Sequence, residues 1–264
     1  MNQKYELTNE SIECNGVIVY RIKRLADNKL GGYIESEKNL SDAGSCWVDN
    51  EAVVYGNAKV TDNAIVKNHA KVYDSAVIKD DAIISDRSSV FEQAEISGNA
   101  KVFGRAQVYG NAKVYGSAQI FISASVYDDA KVFGSAQVFD RAHVYGCASV
   151  SGDTKIYHTA EIRDHAKVYD FANISGNTTI FENGEVFGYA FLKDNSSVYD
   201  TGKVYECAML QGDAQVYGNA EVFGHALLMD SVQVYDSAKV FGNAKLRGDK
   251  VVNMTMVIDS SDED

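Results

Sequence analysis

Proline is absent from all 264 residues, tryptophan occurs once, and cysteine occurs only four times. A proline inside a sheet removes a ladder hydrogen bond, so its absence suits strands that are paired on both sides. Cys14, Cys46, Cys147 and Cys207 lack the spacing of a zinc site, and no metal or other cofactor is expected. So few cysteines, so far apart, fit a reduced, cytoplasmic protein. Basic residues are also short: 25 Lys and Arg stand against 37 Asp and Glu, a formal net charge of −12. That balance disfavours direct binding to nucleic-acid phosphates. The N-terminus is polar, and no apolar run approaches the roughly 18 residues of a membrane span, so neither a signal peptide nor membrane association is expected. No P-loop, nucleophile elbow or zinc spacing is present.

What the chain has instead is a period. From Ala52 to Leu246 a small residue is followed two places later by an aliphatic one, and the pair recurs every six residues through 33 consecutive hexads. Six residues is too short for a helical repeat and suits a solenoid. Strand side chains alternate between faces, so in Ala-Lys-Val-Tyr the Ala and Val share one face and the Lys and Tyr the other. The remaining two residues, such as Gly56-Asn57 or Asp128-Asp129, tolerate positive φ and read as a corner. Each hexad is thus expected to be a four-residue strand and a turn.

The coil length follows from positions 18 apart. The series Tyr55, Tyr73, Phe91, Tyr109, Tyr127, Tyr145, Arg163, Phe181, Tyr199, Tyr217 and Tyr235 is aromatic at ten of eleven places. A 12-residue coil would mix Tyr55 with Lys67 and Lys79. Three hexads per coil give a three-sided parallel β-helix over residues 46–252, all-β in class. Residues 1–45 lie outside the repeat and read as a capping hairpin, with Asn15-Gly16 at its turn, followed by a linker. Residues 253–264 form a C-terminal segment in which Met254, Met256 and Ile258 alternate with polar or smaller residues before an acidic tail.

The aliphatic residue followed four places on by a small one, as in Val54 with Ala58, resembles the hexapeptide-repeat family. Leu30-Gly31-Gly32-Tyr33, Asn39-Leu40-Ser41 and Cys46-Trp47-Val48 resemble the start of its YdcK-like branch, whose members occur in bacteria and phages and are often labelled acyltransferases. The resemblance implies a left-handed coil. For the transferases it implies a histidine general base and an acyl-CoA site between subunits, commonly beside a loop that leaves the coil. Here no loop interrupts the phase. His69, His158, His165 and His225 fall at corners. His143, with Glu161 one coil above it, is the best candidate base, set against a plain surface histidine.

Sorted by face, the chain shows three chemistries. Face one carries the aromatic row beside Val53, Lys71, Ser89, Gln107, Ser125, His143, Glu161, Thr179, Ser197, Gln215 and Gln233, a mostly uncharged strip. Face two mixes Lys59, Glu95, Lys113, Lys167, Glu185, Lys203, Glu221 and Lys239, as a solvated face does. Face three carries Phe191, Met209, Leu227 and Met229 where charge would be expected.

Tyr73, Phe91, Tyr109, Tyr127, Tyr145, Phe181, Tyr199, Tyr217 and Tyr235 are therefore expected to bind a protein or polysaccharide partner, against the plainer alternative of stacking between coils. The face-three cluster is expected to form a homo-oligomer contact, against cover by the terminal segments. A binding or assembly protein without catalysis is the principal expectation. The alternatives are an acyl-CoA-dependent acyltransferase with an inter-subunit site, and a phage-type inhibitor of a host defence or nucleic-acid-binding protein that imitates nucleic acid with its acidic rod. Corner carboxylates such as Asp80-Asp81 could hold a cation or be plain solvated turns.

Overall fold

The structure is a computed structural model that describes residues 4–253 and 257–259. The chain divides into two compact units, Met1–Asp129 and Ala130–Asp264. Each is a three-sided parallel β-helix, and each strand stacks on the strand three hexads further along, giving three sheets. In the first unit Val54 pairs with Val72, Val72 with Val90, and Val90 with Val108 on face one. In the second, Val186 pairs with Val204 and Val204 with Val222 on face two, and Leu192 with Leu210 and Leu210 with Leu228 on face three. The alternating Ala and Val or Ile side chains fill the interior and are fully buried. Lys, Gln and Tyr point outward, as the period-two pattern requires.

The regular strands are shorter than the expected four residues: each is a pair, such as Lys59–Val60 or Lys167–Val168. The hydrogen-bond ladder nevertheless continues through the corners. Amides of Lys59, Thr61 and Asn63 donate to the carbonyls of Ala76, Ile78 and Asp80 on the next coil. The corner itself closes with a bond from the Ala64 amide to the Thr61 carbonyl, 3.1 Å. Its first residue has positive φ, +56° at Asp62 and +57° at Asp80, a backbone that Gly, Asn and Asp tolerate. Because every second amide of a hexad serves the next coil, an insertion or deletion would misplace all later bonds.

The corners also explain much of the acidity. A carboxylate at the first corner position accepts the amide of the first corner residue of the next coil. Asp80 takes Gly98 N–H at 2.8 Å and Glu92 takes Gly110 N–H at 2.8 Å. In the second unit Asp200 takes Gly218 N–H at 3.0 Å and Glu206 takes Gly224 N–H at 2.9 Å. Glycine often follows because a side chain there would collide with the coil above. At Gly110, with φ +69°, a Cβ would lie 2.6 Å from the Asp128 nitrogen.

The N-terminal segment builds the first end. Strands β1 (Tyr5–Cys14) and β2 (Val17–Arg24) form an antiparallel hairpin. Asn15 and Gly16 both have positive φ, as a type I′ turn requires. Strand β3 (Leu30–Ile34) pairs antiparallel with β2 and parallel with Val53–Val54, so the first coil starts before the hexad phase does. Gly31 and Gly32 are needed where β3 crosses the interior: Cβ atoms there would meet the Val48 and Ala52 carbonyls at 2.6 and 2.5 Å. The buried Asn39 accepts the Ser36 amide and donates to the Gly56 and Ala58 carbonyls, joining the first coil to the second. At the other end Val257–Asp259 pairs with Lys239–Phe241. The expected alternation through Met254 and Met256, and the acidic tail from Ser260, lie outside the described residues.

One corner breaks its own rule. Ile122 occupies the positive-φ position at +62° with its side chain 48 % exposed. A left-handed backbone costs an ordinary L-residue about 1–2 kcal/mol, and a β-branched one is an outlier there. Ile122→Asn should therefore raise stability by about 1 kcal/mol, read as a higher urea midpoint at unchanged slope. A lower midpoint would mean that side-chain burial at Ile122 outweighs the backbone strain.

Candidate functional site

Coil stacking decides the geometry of face one. In the first unit Tyr55, Tyr73, Phe91, Tyr109 and Tyr127 form one run, with ring centroids 4.8–5.1 Å apart and planes within 7°. In the second, Phe181, Tyr199, Tyr217 and Tyr235 form another at 4.8–5.0 Å. Arg163, the one residue that breaks the aromatic series, places its guanidinium over the Phe181 ring at 4.2 Å. It therefore continues the stack as a cation–π contact. The ring faces are thus occupied by their neighbours, and edges and hydroxyls are what the rows present outward.

The uncharged row beside the rings has a structural use that was not visible in the sequence. Tyr199 donates its hydroxyl to the Gln215 amide oxygen at 3.4 Å, and Tyr217 to that of Gln233 at 3.3 Å. Tyr145 does the same to Glu161 at 3.2 Å. Each bond steps from one outward row to the other on the next coil. Face two uses it as well, with Tyr205 donating to Glu221 at 2.9 Å. The first ring of face one is covered. Tyr55 and Val53 are buried with Cys14, Val19 and Tyr33, and Asn15 donates to the Tyr55 hydroxyl.

Face two stacks Tyr169, Phe187, Tyr205, Phe223 and Phe241 in the second unit. Its other row carries ion pairs between coils. Glu185 lies between Lys167 and Lys203, and Glu221 meets Lys239. Such exposed pairs contribute little to stability, but they make face two charged where face one is mostly uncharged.

On face three, Phe191, Met209 and Leu227 stand in register on successive coils, each half-buried. Met229 differs from its neighbours: it is only 8 % exposed and packs within its own chain. The corner leading into this face adds two residues that the hexad pattern assigns to a turn. Phe171 and Tyr189 stack at 4.8 Å and are 49 % and 64 % exposed. Aromatic residues at a place usually held by Asn, Ser or Asp were the available signal for them.

His143 pairs in register with Glu161, as expected. The carboxylate that would orient it as a base, however, accepts the Tyr145 hydroxyl. His158 acts as the corner aspartates do, with Nδ1 accepting the Gly176 amide at 3.3 Å. Among the described residues no group of three or more His, Cys, Asp or Glu side chains is placed to hold a metal ion. No helix there is long and apolar enough to cross a membrane.

Burial holds several phenols of the ladder above their ordinary range. Tyr73 is pushed up to about 12, by burial first and then by Tyr55, Asp74 and Glu92 nearby. Tyr109, Tyr145, Tyr199 and Tyr217 are raised by the same cause. A phenol raised on folding contributes stability that is complete below its unfolded value, about pH 10, and is lost as pH rises towards its folded one. Stability should therefore fall between about pH 10 and about 12, and Tyr73→Phe should make that fall shallower. The checks are urea midpoints across this range and tyrosinate absorbance. A phenol signal that saturates at the ordinary value with the protein still folded would contradict the burial assigned to the rings.

The family model described as the YdcK β-solenoid repeat matches residues 106–120, a stretch in phase with the other hexads. No curated protein matches the chain. Three parallel sheets of stacked hexads and that repeat match together support a β-helix with a YdcK-like repeat.

Proposed function

We propose that this β-helix is a non-enzymatic binding and assembly protein. It presents face one to a macromolecular partner, a protein or a polysaccharide, and joins copies of itself through face three. The observation that carries the first part is the contrast between two aromatic faces built the same way. Both hold stacked rings on a rigid ladder, but the row beside the rings is ion-paired Lys and Glu on face two and mainly Ser, Thr and Gln on face one. Neutral hydrogen-bonding groups can meet a partner without stripping water from a charge. Phenol edges and hydroxyls add polar contacts to apolar area. Four free cysteines, two of them exposed, suit a reducing cytoplasm.

The matched test lies within the second unit. Tyr199→Ser plus Tyr217→Ser removes adjacent rings from face one, and Phe187→Ser plus Tyr205→Ser removes adjacent rings from face two. Affinity capture with the wild-type chain identifies the partner, and circular dichroism checks both variants. The partner should be lost by at least tenfold from the face-one variant and kept by the face-two variant. Equal retention by the two folded variants would make the face-one rings purely structural.

For assembly, the support is the apolar group of Phe191, Met209 and Leu227 beside the exposed Phe171 and Tyr189. Covering such area favours association by about 25 cal/mol per Å², less the loss of rigid-body freedom. The wild type should sediment as an oligomer at tens of micromolar, and Met209→Glu plus Leu227→Glu should shift it towards monomer. A monomeric wild type would remove this part of the proposal and leave the face-one test unaffected.

A further inference from the structure

One corner of the first unit runs against the charge of the whole chain. Its second position on three successive coils is His69, Arg87 and Arg105. Just beyond the corner, Lys71 and Ser89 stand in register on the first two of these coils. Coils stack at about 4.8 Å, so Arg87 and Arg105 repeat at a distance where like charges repel one another. Some other basic side chains meet carboxylates on neighbouring coils: Lys79 and Lys113 share Glu95, and Lys167 and Lys203 share Glu185. Among the described residues, none of the ion pairs includes Lys71, Arg87 or Arg105.

Two carboxylates stand at the same corner, Glu51 paired with a cation and Asp86 hydrogen-bonded to neutral amides. Glu51 is held by Arg21 at 3.0 Å. Asp86 accepts the Asn68 side-chain amide and the Gly104 backbone amide, both at 3.0 Å. The surface is hollow where the cations converge. A concavity of about 560 Å³ is lined by His69, Arg87 and Arg105 together with Asn50, Asn68 and the carboxylates Glu51 and Asp86. A second, of about 400 Å³, is lined by His69, Lys71, Arg87 and Ser89. The fold needs none of these charges, because the corner is closed by backbone bonds such as Arg87 N–H to Gly104 O at 2.8 Å.

We infer that this corner binds a compact, multiply charged phosphoryl anion, such as a di- or triphosphate group. Arg87 and Arg105 fork its oxygens from adjacent coils, and Lys71 adds a point charge. His69 and Ser89 supply hydrogen bonds at its edge. Two guanidiniums one coil apart suit a group with several oxygens and at least two charges within a few ångströms. A single carboxylate would leave most of that positive charge uncompensated.

The test is calorimetric titration of the full chain with sodium tripolyphosphate. Wild type should saturate at one site per chain, with affinity that weakens as salt is raised. Arg87→Gln plus Arg105→Gln should lower affinity at least tenfold. Lys245→Gln, an exposed lysine of the second unit, should leave it unchanged. Arg105→Lys keeps the charge but loses the fork, and should weaken binding several-fold in a chain whose fold is undisturbed. Citrate, a polycarboxylate of similar charge, should bind at least tenfold more weakly. Absence of saturation, or wild-type affinity in the double variant, would overturn the site. Equal affinity for citrate would overturn its assignment to phosphoryl groups.

Discussion

Everything in this protein depends on a backbone register of three hexads per coil. Each coil donates alternate amides to carbonyls of the coil that follows, and each corner requires one residue with positive φ. Those two demands determine which residues can stand where. The interior admits only small and aliphatic side chains, alternating along each short side of the coil. The first corner position is held mainly by glycine, or by an acidic residue whose carboxylate caps the corner amide of the coil above. A good part of the net negative charge is therefore a structural feature of the corners, repeated as often as the turn is.

Repetition has a second consequence. Equivalent positions on successive coils lie close enough to satisfy each other. Rings cover rings, tyrosine hydroxyls find the glutamine or glutamate of the next coil, and lysines find glutamates. Asparagines do the same along a corner, where Asn177 donates to Asn195 and Asn195 to Asp213. Against this background the exceptions are informative. Phe171 and Tyr189 leave apolar area in water at a corner, and Arg87 and Arg105 stack like charges on adjacent coils, in none of the ion pairs among the described residues. Both depart from what stability alone would select, and departures of that kind are where interactions with other molecules concentrate.

A repeat that satisfies itself must still stop. Here the first coil has two glycines where the backbone crosses the interior and a buried asparagine that mimics a strand partner. The hairpin then covers Tyr55 and Val53, the first outward residues of face one. The motifs Leu-Gly-Gly-Tyr and Asn-Leu-Ser thus build the first coil.

The three faces, the coil length, and the identity of inward and outward residues were legible in the sequence, because a strict period leaves only one way to stack Val54 under Val72 or Tyr109 under Tyr127. The expected strands were longer than the observed pairs, since alternation continues into a corner that regular pairing does not include. What the period could not show was how neighbouring coils use their side chains. Only the tertiary structure decided that ring faces are consumed by stacking and that Glu161 serves Tyr145. It also showed that Met229 is buried while Met209 is not, and that carboxylates at corners cap amides. The same holds for the cationic corner. His69, Arg87 and Arg105 recur once per coil, each beside a different neighbour in the sequence, and it is coil stacking that sets them about one strand spacing apart.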